Sequence, residues 1–181
     1  SFEELLDLYE KRIFNAIYRM VGDYEEAIDL TQETFVKAYQ ALPEFRGESQ
    51  IYTWLYRIAI NVTHNRLRQL ERERHFLAGS LDEAREGEEG EPLGWQIPDE
   101  ADTPEEHLER QELRQVVRRA IQSLPPQFRE VIVLRDMEGL PYQEIAQLLG
   151  ISLQAVKSRL FRARMALKER LKPYLEEESE E

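Results

Sequence analysis

Between Ser152 and Lys172 the chain carries seven Lys or Arg and a single acid, Glu169. A solvated helix face ordinarily mixes the two signs, so this excess points to an anionic partner. Helical periodicity puts Val156 and Leu160 on one side and Lys157, Ser158, Phe161 and Arg162 on the other. A helix with an apolar back and a cationic front is shaped for the major groove of DNA.

The elements that must hold this helix are legible just before it. Ile145, Leu148 and Leu149 form an apolar stripe, and Ala146 is small enough to let a second helix approach. Gly150 is placed to end that helix in the left-handed conformation. Ser152 is placed to cap the next by accepting bonds from its first free N–H groups. The run from Gly139 to Arg164 therefore reads as a helix-turn-helix. Its glycine and small-residue spacing fits a DNA-binding unit better than a plain helical hairpin in a core, and the local charge adds to that. The motif alone does not separate a repressor from an activator or from another DNA-binding protein.

The net charge of the whole chain, −12, opposes this reading until it is divided along the sequence. Residues 76–109 carry 1 Lys/Arg against 12 Asp/Glu, whereas residues 110–175 carry 13 against 6. The acid sits in a middle segment and in the tail 176–181, and nucleic-acid affinity follows the local field rather than the total. A length of 181 residues allows one large domain or two small ones. No cysteine is present, which excludes a disulfide framework and a thiolate zinc site; His64, His75 and His107 lack ligand spacing. No metal and no cofactor are expected. No apolar run approaches membrane-spanning length, and Ser1-Phe2-Glu3-Glu4 does not open a signal peptide, so a soluble cytoplasmic protein is expected. The chain starts on Ser1 rather than Met, as a processed or trimmed protein does.

Upstream, Leu5, Tyr9, Ile13, Ile17 and Met20 recur at about one helical turn and predict a first helix ended by Gly22. Asp23 with Glu26 resembles a capping box opening a second. This one turns Ala27, Leu30, Phe35, Ala38, Tyr39 and Leu42 mostly inward and stops at Pro43. A third helix runs from about Gln50 to about Arg74, with Ile51, Trp54, Leu55, Ile58 and Val62 inside and an Arg-rich end. Trp54 lies on the apolar stripe and is assigned to the core rather than to base stacking. Residues 76–103 read as a flexible acidic linker, because Arg85–Pro92 has too little apolar area to offset its ordering entropy. The patch Leu93–Ile97 within it is either a loose anchor or a docking segment for a partner. Thr103, Pro104 and Glu106 then restart helical structure, with Leu113, Val116, Val117, Ala120, Ile121 and Leu124 on its core face. Pro125-Pro126 ends that helix, and Phe128, Val131, Ile132 and Leu134 begin another. The fold class is all-α: two small helical domains joined by a flexible acidic linker.

Three segments carry a resemblance. Asp29-Leu-Thr-Gln-Glu-Thr-Phe-Val-Lys-Ala-Tyr39 is similar to a region 2 helix of sigma-70-type initiation factors. Phe45-Arg-Gly-Glu-Ser49 with Tyr52–Asn61 resembles the rest of that region. Leu124-Pro-Pro126, Phe128–Arg135 and the helix-turn-helix resemble region 4. With no large region 3, the chain looks like the compact extracytoplasmic-function (ECF) group. The implied division is region 2 over 1–75, the linker over 76–103, region 4 over 104–175 and an acidic tail over 176–181.

The resemblance implies a sigma factor, not an enzyme. Its partners are core RNA polymerase (the β′ coiled coil and the β flap), promoter DNA and an anti-sigma factor, and its place is the cytoplasm, with polymerase on the nucleoid. Docking to core polymerase falls on Asp29, Gln32 and Glu33. Recognition and opening of the −10 element fall on Phe45, Arg46, Gly47, Glu48, Ser49 and Gln50, with Asn61 reading an adjacent base and Arg57, Arg66 and Arg68 holding phosphates. Gln50-Ile51 stands where many relatives carry a small residue and an aromatic, which bears on which base is flipped. The start of the first region 2 helix is abbreviated relative to the family. The −35 element falls to Lys157, Ser158, Phe161 and Arg162, with Arg159 and Arg164 on phosphate. A Lys at 157, where relatives often have Arg, gives up the bidentate fork to guanine. The acidic linker is either a nucleic-acid mimic in polymerase channels or a solubilising spacer. The alternative function, a stand-alone helix-turn-helix regulator, would lack the Asp29–Tyr39 and Phe45–Asn61 segments. An enzyme reading finds no glycine-rich phosphate loop and no nucleophile–His motif.

Overall fold

A computed structural model of the chain describes residues 1–77 and 103–178. The linker between 78 and 102, the Leu93–Ile97 patch within it and the tail residues 179–181 lie outside the described residues. Among the described residues every regular element is helical. The order is α1 (Phe2–Val21), α2 (Tyr24–Ala41), a 3₁₀ turn (Leu42–Glu44), α3 (Ile51–Leu77), α4 (Pro104–Ser123), α5 (Pro126–Ile132), a π-helical turn (Val133–Met137), α6 (Tyr142–Leu149) and α7 (Leu153–Glu178).

The termini of these helices follow local chemistry. Ser1 and Glu4 form a reciprocal capping box at α1, as Thr103 and Glu106 do at α4. Gly22 ends α1 at φ 74°, a conformation that costs other residues a Cβ clash. Asp23 caps α2 by accepting from the Glu26 N–H at 3.0 Å. The expected return bond from the Glu26 side chain is absent, because that carboxylate is engaged by Arg66 of α3.

Helices α1, α2 and α3 pack on one another around Ile13, Ile17, Met20, Ala27, Leu30, Leu55 and Ile60. Fully burying a side chain of this class is worth about 1.5–3 kcal/mol. The second unit packs α4, α5, α6 and α7 around Ile121, Val131–Leu134, Ile145, Val156 and Leu160. Two residues assigned inward by periodicity face out. Tyr39 is 63% exposed, resting its ring edge-on against Phe2, and Leu113 is 55% exposed. Each lies at the margin of its apolar stripe, where a half-turn of helix decides the outcome.

The two units meet directly: α1 lies against α4 and α5, and α3 against α6. At this junction the Gln122 side-chain amide donates to the Arg19 carbonyl at 3.0 Å, satisfying a backbone acceptor near the open end of α1. Gly22 makes room for it, since a Cβ there would fall 1.8 Å from Gln122 Oε1.

Candidate nucleic-acid and polymerase interfaces

The helix-turn-helix is built as its punctuation suggests. Gly150 adopts φ 66° and closes α6 by donating its N–H to the Ala146 carbonyl. The Ser152 hydroxyl accepts from the Ala155 N–H at 3.1 Å, capping α7. Val156, Leu160 and Ala163 are buried, which turns Lys157, Ser158, Phe161 and Arg162 to solvent. Phe161 is 67% exposed, an unusual position for an aromatic with no surface to cover. Arg159 is half-buried at the edge of this face.

Arg164 is committed differently. Its Nε and Nη2 bond both oxygens of Asp136, at 3.0 and 2.5 Å, and this fork holds the guanidinium above its usual pKa. It braces α7 against the π-helical turn. Arg135 adds a second brace that sequence reasoning missed: its Nη1 donates to the Leu140 carbonyl at 3.0 Å, and its guanidinium lies 4.6 Å from the Tyr142 ring centre. Neither contact has a sequence signal, because both depend on the π turn at Val133–Met137.

On the first unit a cleft of about 430 Å³ is lined by Glu44, Phe45, Arg46, Glu48, Ser49, Trp54 and Arg57. The Phe45 and Trp54 rings sit 5.1 Å apart at 47°, forming an aromatic wall of a cleft that Arg46 and Arg57 also line. Trp54 is half-buried; it packs on the core, as assigned, and also lines the cleft. Periodicity places it on the apolar stripe but cannot tell the middle of a core from its rim. Gly47, at φ 74°, has open space where a Cβ would stand, and Gln50 is exposed just before α3.

Arg57, Asn61 and Arg68 are exposed on α3 and share one face by their spacing of four and seven residues. Arg66, expected beside them on phosphate, is engaged by a carboxylate instead. It is half-buried and closes a two-bond fork on Glu26 of α2 at 3.0 and 2.6 Å. That fork holds its guanidinium above the ordinary pKa. Burial likewise raises the pKa of Tyr56, whose hydroxyl has no partner among the described residues.

Asp29, Gln32 and Glu33 all face solvent on α2, and among the described residues Glu33 makes an exposed i,i+4 pair with Lys37 at 3.5 Å. Behind them Thr31 and Thr34 are buried, their hydroxyls bonded to the Ala27 and Leu30 carbonyls at 2.7 Å. This polar strip is therefore held on a well-packed helix.

The sigma-70 region 2 family matches residues 5–73, and the sigma-70 region 4 family matches residues 114–167. The chain belongs to the sigma-70 family. This sigma factor is 39% identical over 177 residues to the RNA polymerase sigma-H factor of Pseudomonas aeruginosa, covering 98% of this chain and 89% of the relative. It is also 39% identical over 179 residues to the ECF RNA polymerase sigma-E factor of Escherichia coli, covering 97% and 88%; the group is thus ECF. Among solved structures, the sigma factor RpoE bound to the anti-sigma factor NepR from Bartonella quintana shares the fold, with a TM-score of 0.63 at 24% identity over 94% of this chain and 96% of that one. CnrH, solved with the cytosolic domain of CnrY, has a TM-score of 0.57 at 26% identity, covering 95% and 88%. No helix among the described residues of this sigma factor is long and apolar enough to cross a membrane.

Proposed function

We propose that this sigma factor binds core RNA polymerase, sets region 4 on a −35 element and region 2 on a −10 element, and nucleates strand opening. One observation carries the reading. An exposed Lys157–Arg162 face, with no carboxylate in ion-pair distance among the described residues, is joined in one chain to an aromatic-walled, arginine-rimmed cleft on a separate helical unit. The first has the chemistry of duplex recognition and the second that of an unstacked base.

In this reading Lys157, Ser158, Phe161 and Arg162 meet the −35 major groove, with Arg159 and Arg164 at its phosphates, the latter in exchange with Asp136. Phe45, Arg46, Glu48 and Ser49 receive a melted −10 base, with Trp54 as the floor. Gly47 and Gln50 flank the strand, Asn61 reads its neighbour, and Arg57 and Arg68 hold the backbone. Asp29, Gln32 and Glu33 offer hydrogen-bond acceptors to the β′ coiled coil, and region 4 reaches the β flap. An anti-sigma factor covers the same surfaces, and the protein works in the cytoplasm with polymerase on the nucleoid. A stand-alone regulator has no use for the region 2 unit.

Run-off transcription with core polymerase on a randomised promoter library tests the proposal. Enrichment of two spaced elements is expected. Silence from an active core enzyme, with duplex binding by region 4 retained, would leave the regulator reading instead.

A further inference from the structure

Along the junction of the two units, bases and acids are paired. Arg19 of α1 meets Glu138 at 3.0 Å, Arg57 of α3 meets Glu144 of α6 at 3.4 Å, and His64 of α3 meets Glu130 of α5 at 2.6 Å. In each pair of this seam the base comes from region 2 and the acid from region 4. Further along α3 the pattern breaks. There a cavity of about 590 Å³ is bounded by Arg74 and His75 from the last turn of α3, by Arg129 of α5 and by Arg170 of α7. Bases now come from both sides. Among the described residues no carboxylate lies within ion-pair distance of these four.

The end of α4 draws two of these guanidinium groups together. Arg129 Nη1 donates to the Gln122 carbonyl at 3.1 Å, and Arg170 Nη2 donates to the Ser123 carbonyl at 3.3 Å. The acceptors belong to consecutive residues, so the two cations stand within about 10 Å of one another. The partial negative charge of a helix C-terminus favours both, but it does not account for the rest of Arg129. This residue is 9% exposed, and its Nε is buried with no partner among the described residues. Burial lowers its pKa despite the nearby Glu130, whose carboxylate is bonded to His64. A buried cationic donor without an acceptor is costly, and an anion in the cavity supplies acceptors.

The rest of the lining narrows the class of anion. Leu67, Leu70 and Leu124 make an apolar wall, for which a free inorganic ion has no use. Glu71, the single carboxylate of the lining, repels an anion but accepts from a hydroxyl. The volume falls in the range of about 300–1,000 Å³ usual for small-molecule sites. We propose that this cavity binds a small phosphorylated molecule of the nucleotide class, with its phosphates on Arg129, Arg170 and Arg74, a sugar hydroxyl on Glu71 and its body on the leucine wall. None of these residues belongs to the DNA or polymerase surfaces proposed above, and the site does not rest on that function.

Isothermal titration of the full chain with ADP, inorganic pyrophosphate and adenosine at fixed salt tests the site. ADP is expected to bind once per chain with a Kd of about 1 mM or tighter, pyrophosphate more weakly, and adenosine without saturation. Arg170→Gln and Arg74→Gln, both at exposed positions, are expected to weaken ADP by about 3- to 10-fold each. Arg72→Gln, an exposed neighbour outside the cavity, is expected to leave binding unchanged. The Nε–H resonance of Arg129, assigned by its loss in Arg129→Lys, is expected to shift as ADP is added. No saturation by ADP or pyrophosphate up to about 10 mM would overturn the proposal. Equal affinity for the two would also overturn it, since the wall would then contribute nothing. An equal loss in Arg72→Gln would reduce the effect to diffuse charge attraction. A resonance that stays in place while ADP saturates would put the anion elsewhere. Displacement of ADP by a single-stranded oligonucleotide that binds more tightly, with the same dependence on Arg74 and Arg170, would give the cavity to a nucleic-acid strand instead.

Discussion

Arg66 and Glu26 form the firmest side-chain link between α3 and α2, with Nε to Oε2 at 3.0 Å and Nη2 to Oε1 at 2.6 Å. Both side chains are 28% exposed, so the fork is shielded but not dry. It explains why Glu26 does not complete the capping box at Asp23, and it directs the Arg66 guanidinium to α2. One pair thus engages both Glu26, which the sequence pattern puts in a capping box, and Arg66, which the family resemblance puts on phosphate.

Loss of the fork should be felt in stability. Arg66→Ala is expected to destabilise region 2 by about 1–2 kcal/mol, between the values typical of exposed pairs and of charge-assisted hydrogen bonds. Arg66→Lys should recover little of it, because the ammonium cannot reproduce the two parallel bonds. Chemical denaturation of the single variants and of the Arg66→Ala, Glu26→Ala double variant checks this. Additive losses in that cycle would show that the pair does not couple. Binding to a −35 duplex should be unchanged.

The turn between α6 and α7 gives a second expectation. Ser152→Ala removes the cap on the Ala155 N–H and should cost about 1 kcal/mol. Gly150→Ala places a Cβ at φ 66° and should cost about 1–2 kcal/mol. Thermal unfolding measures both. Each should also weaken −35 binding, since the cap sets the start of the helix that carries Lys157 and Arg162.

Recognition itself is separable from assembly. Arg162→Ala is expected to weaken −35-dependent transcription far more than affinity for core polymerase, and equal loss in a pull-down would argue against its placement on DNA. Lys157→Arg should sharpen discrimination if a guanine lies opposite, by about 1–3 kcal/mol, because it restores a bidentate fork. A salt titration adds a check: if Arg159 holds a phosphate as proposed, Arg159→Ala should make the dependence of log affinity on log salt shallower by about 1.

Much of this architecture was legible in the sequence because its signals are local. Gly22, Gly150, Ser152 and the Thr103–Glu106 box act within a turn of where they stand, and burial at Ile13, Val156 or Leu160 follows from a 3.6-residue period. The outward Lys157, Ser158, Phe161 and Arg162 follow from the same arithmetic. What stayed hidden depends on distant partners. The Arg66–Glu26 fork, the Arg164–Asp136 fork and the seam of Glu130, Glu138 and Glu144 against region 2 join residues from 28 to 119 positions apart. No periodicity announces them. The π turn at Val133–Met137 was equally silent, since an inserted residue leaves no compositional mark.

The Phe45–Trp54 wall bears the last expectation, on strand opening. If a −10 base enters the cleft, it exchanges stacking in the duplex for contact with these rings, a term of about 1–3 kcal/mol per base. Phe45→Ala should therefore slow open-complex formation by about 10-fold or more. Trp54→Phe, which keeps an aromatic floor and most of the core contact, should slow it less. Both should leave core-polymerase affinity near that of the parent, because Asp29, Gln32 and Glu33, the residues proposed above to dock on the polymerase, lie on another helix. Permanganate reactivity of unpaired thymines follows the opening. A promoter already mismatched over the −10 element supplies the decisive comparison, because the unpairing cost is then largely removed. The Phe45→Ala defect should shrink on that template if the rings assist opening. A defect of the same size on both templates would mean that they serve only the packing of region 2.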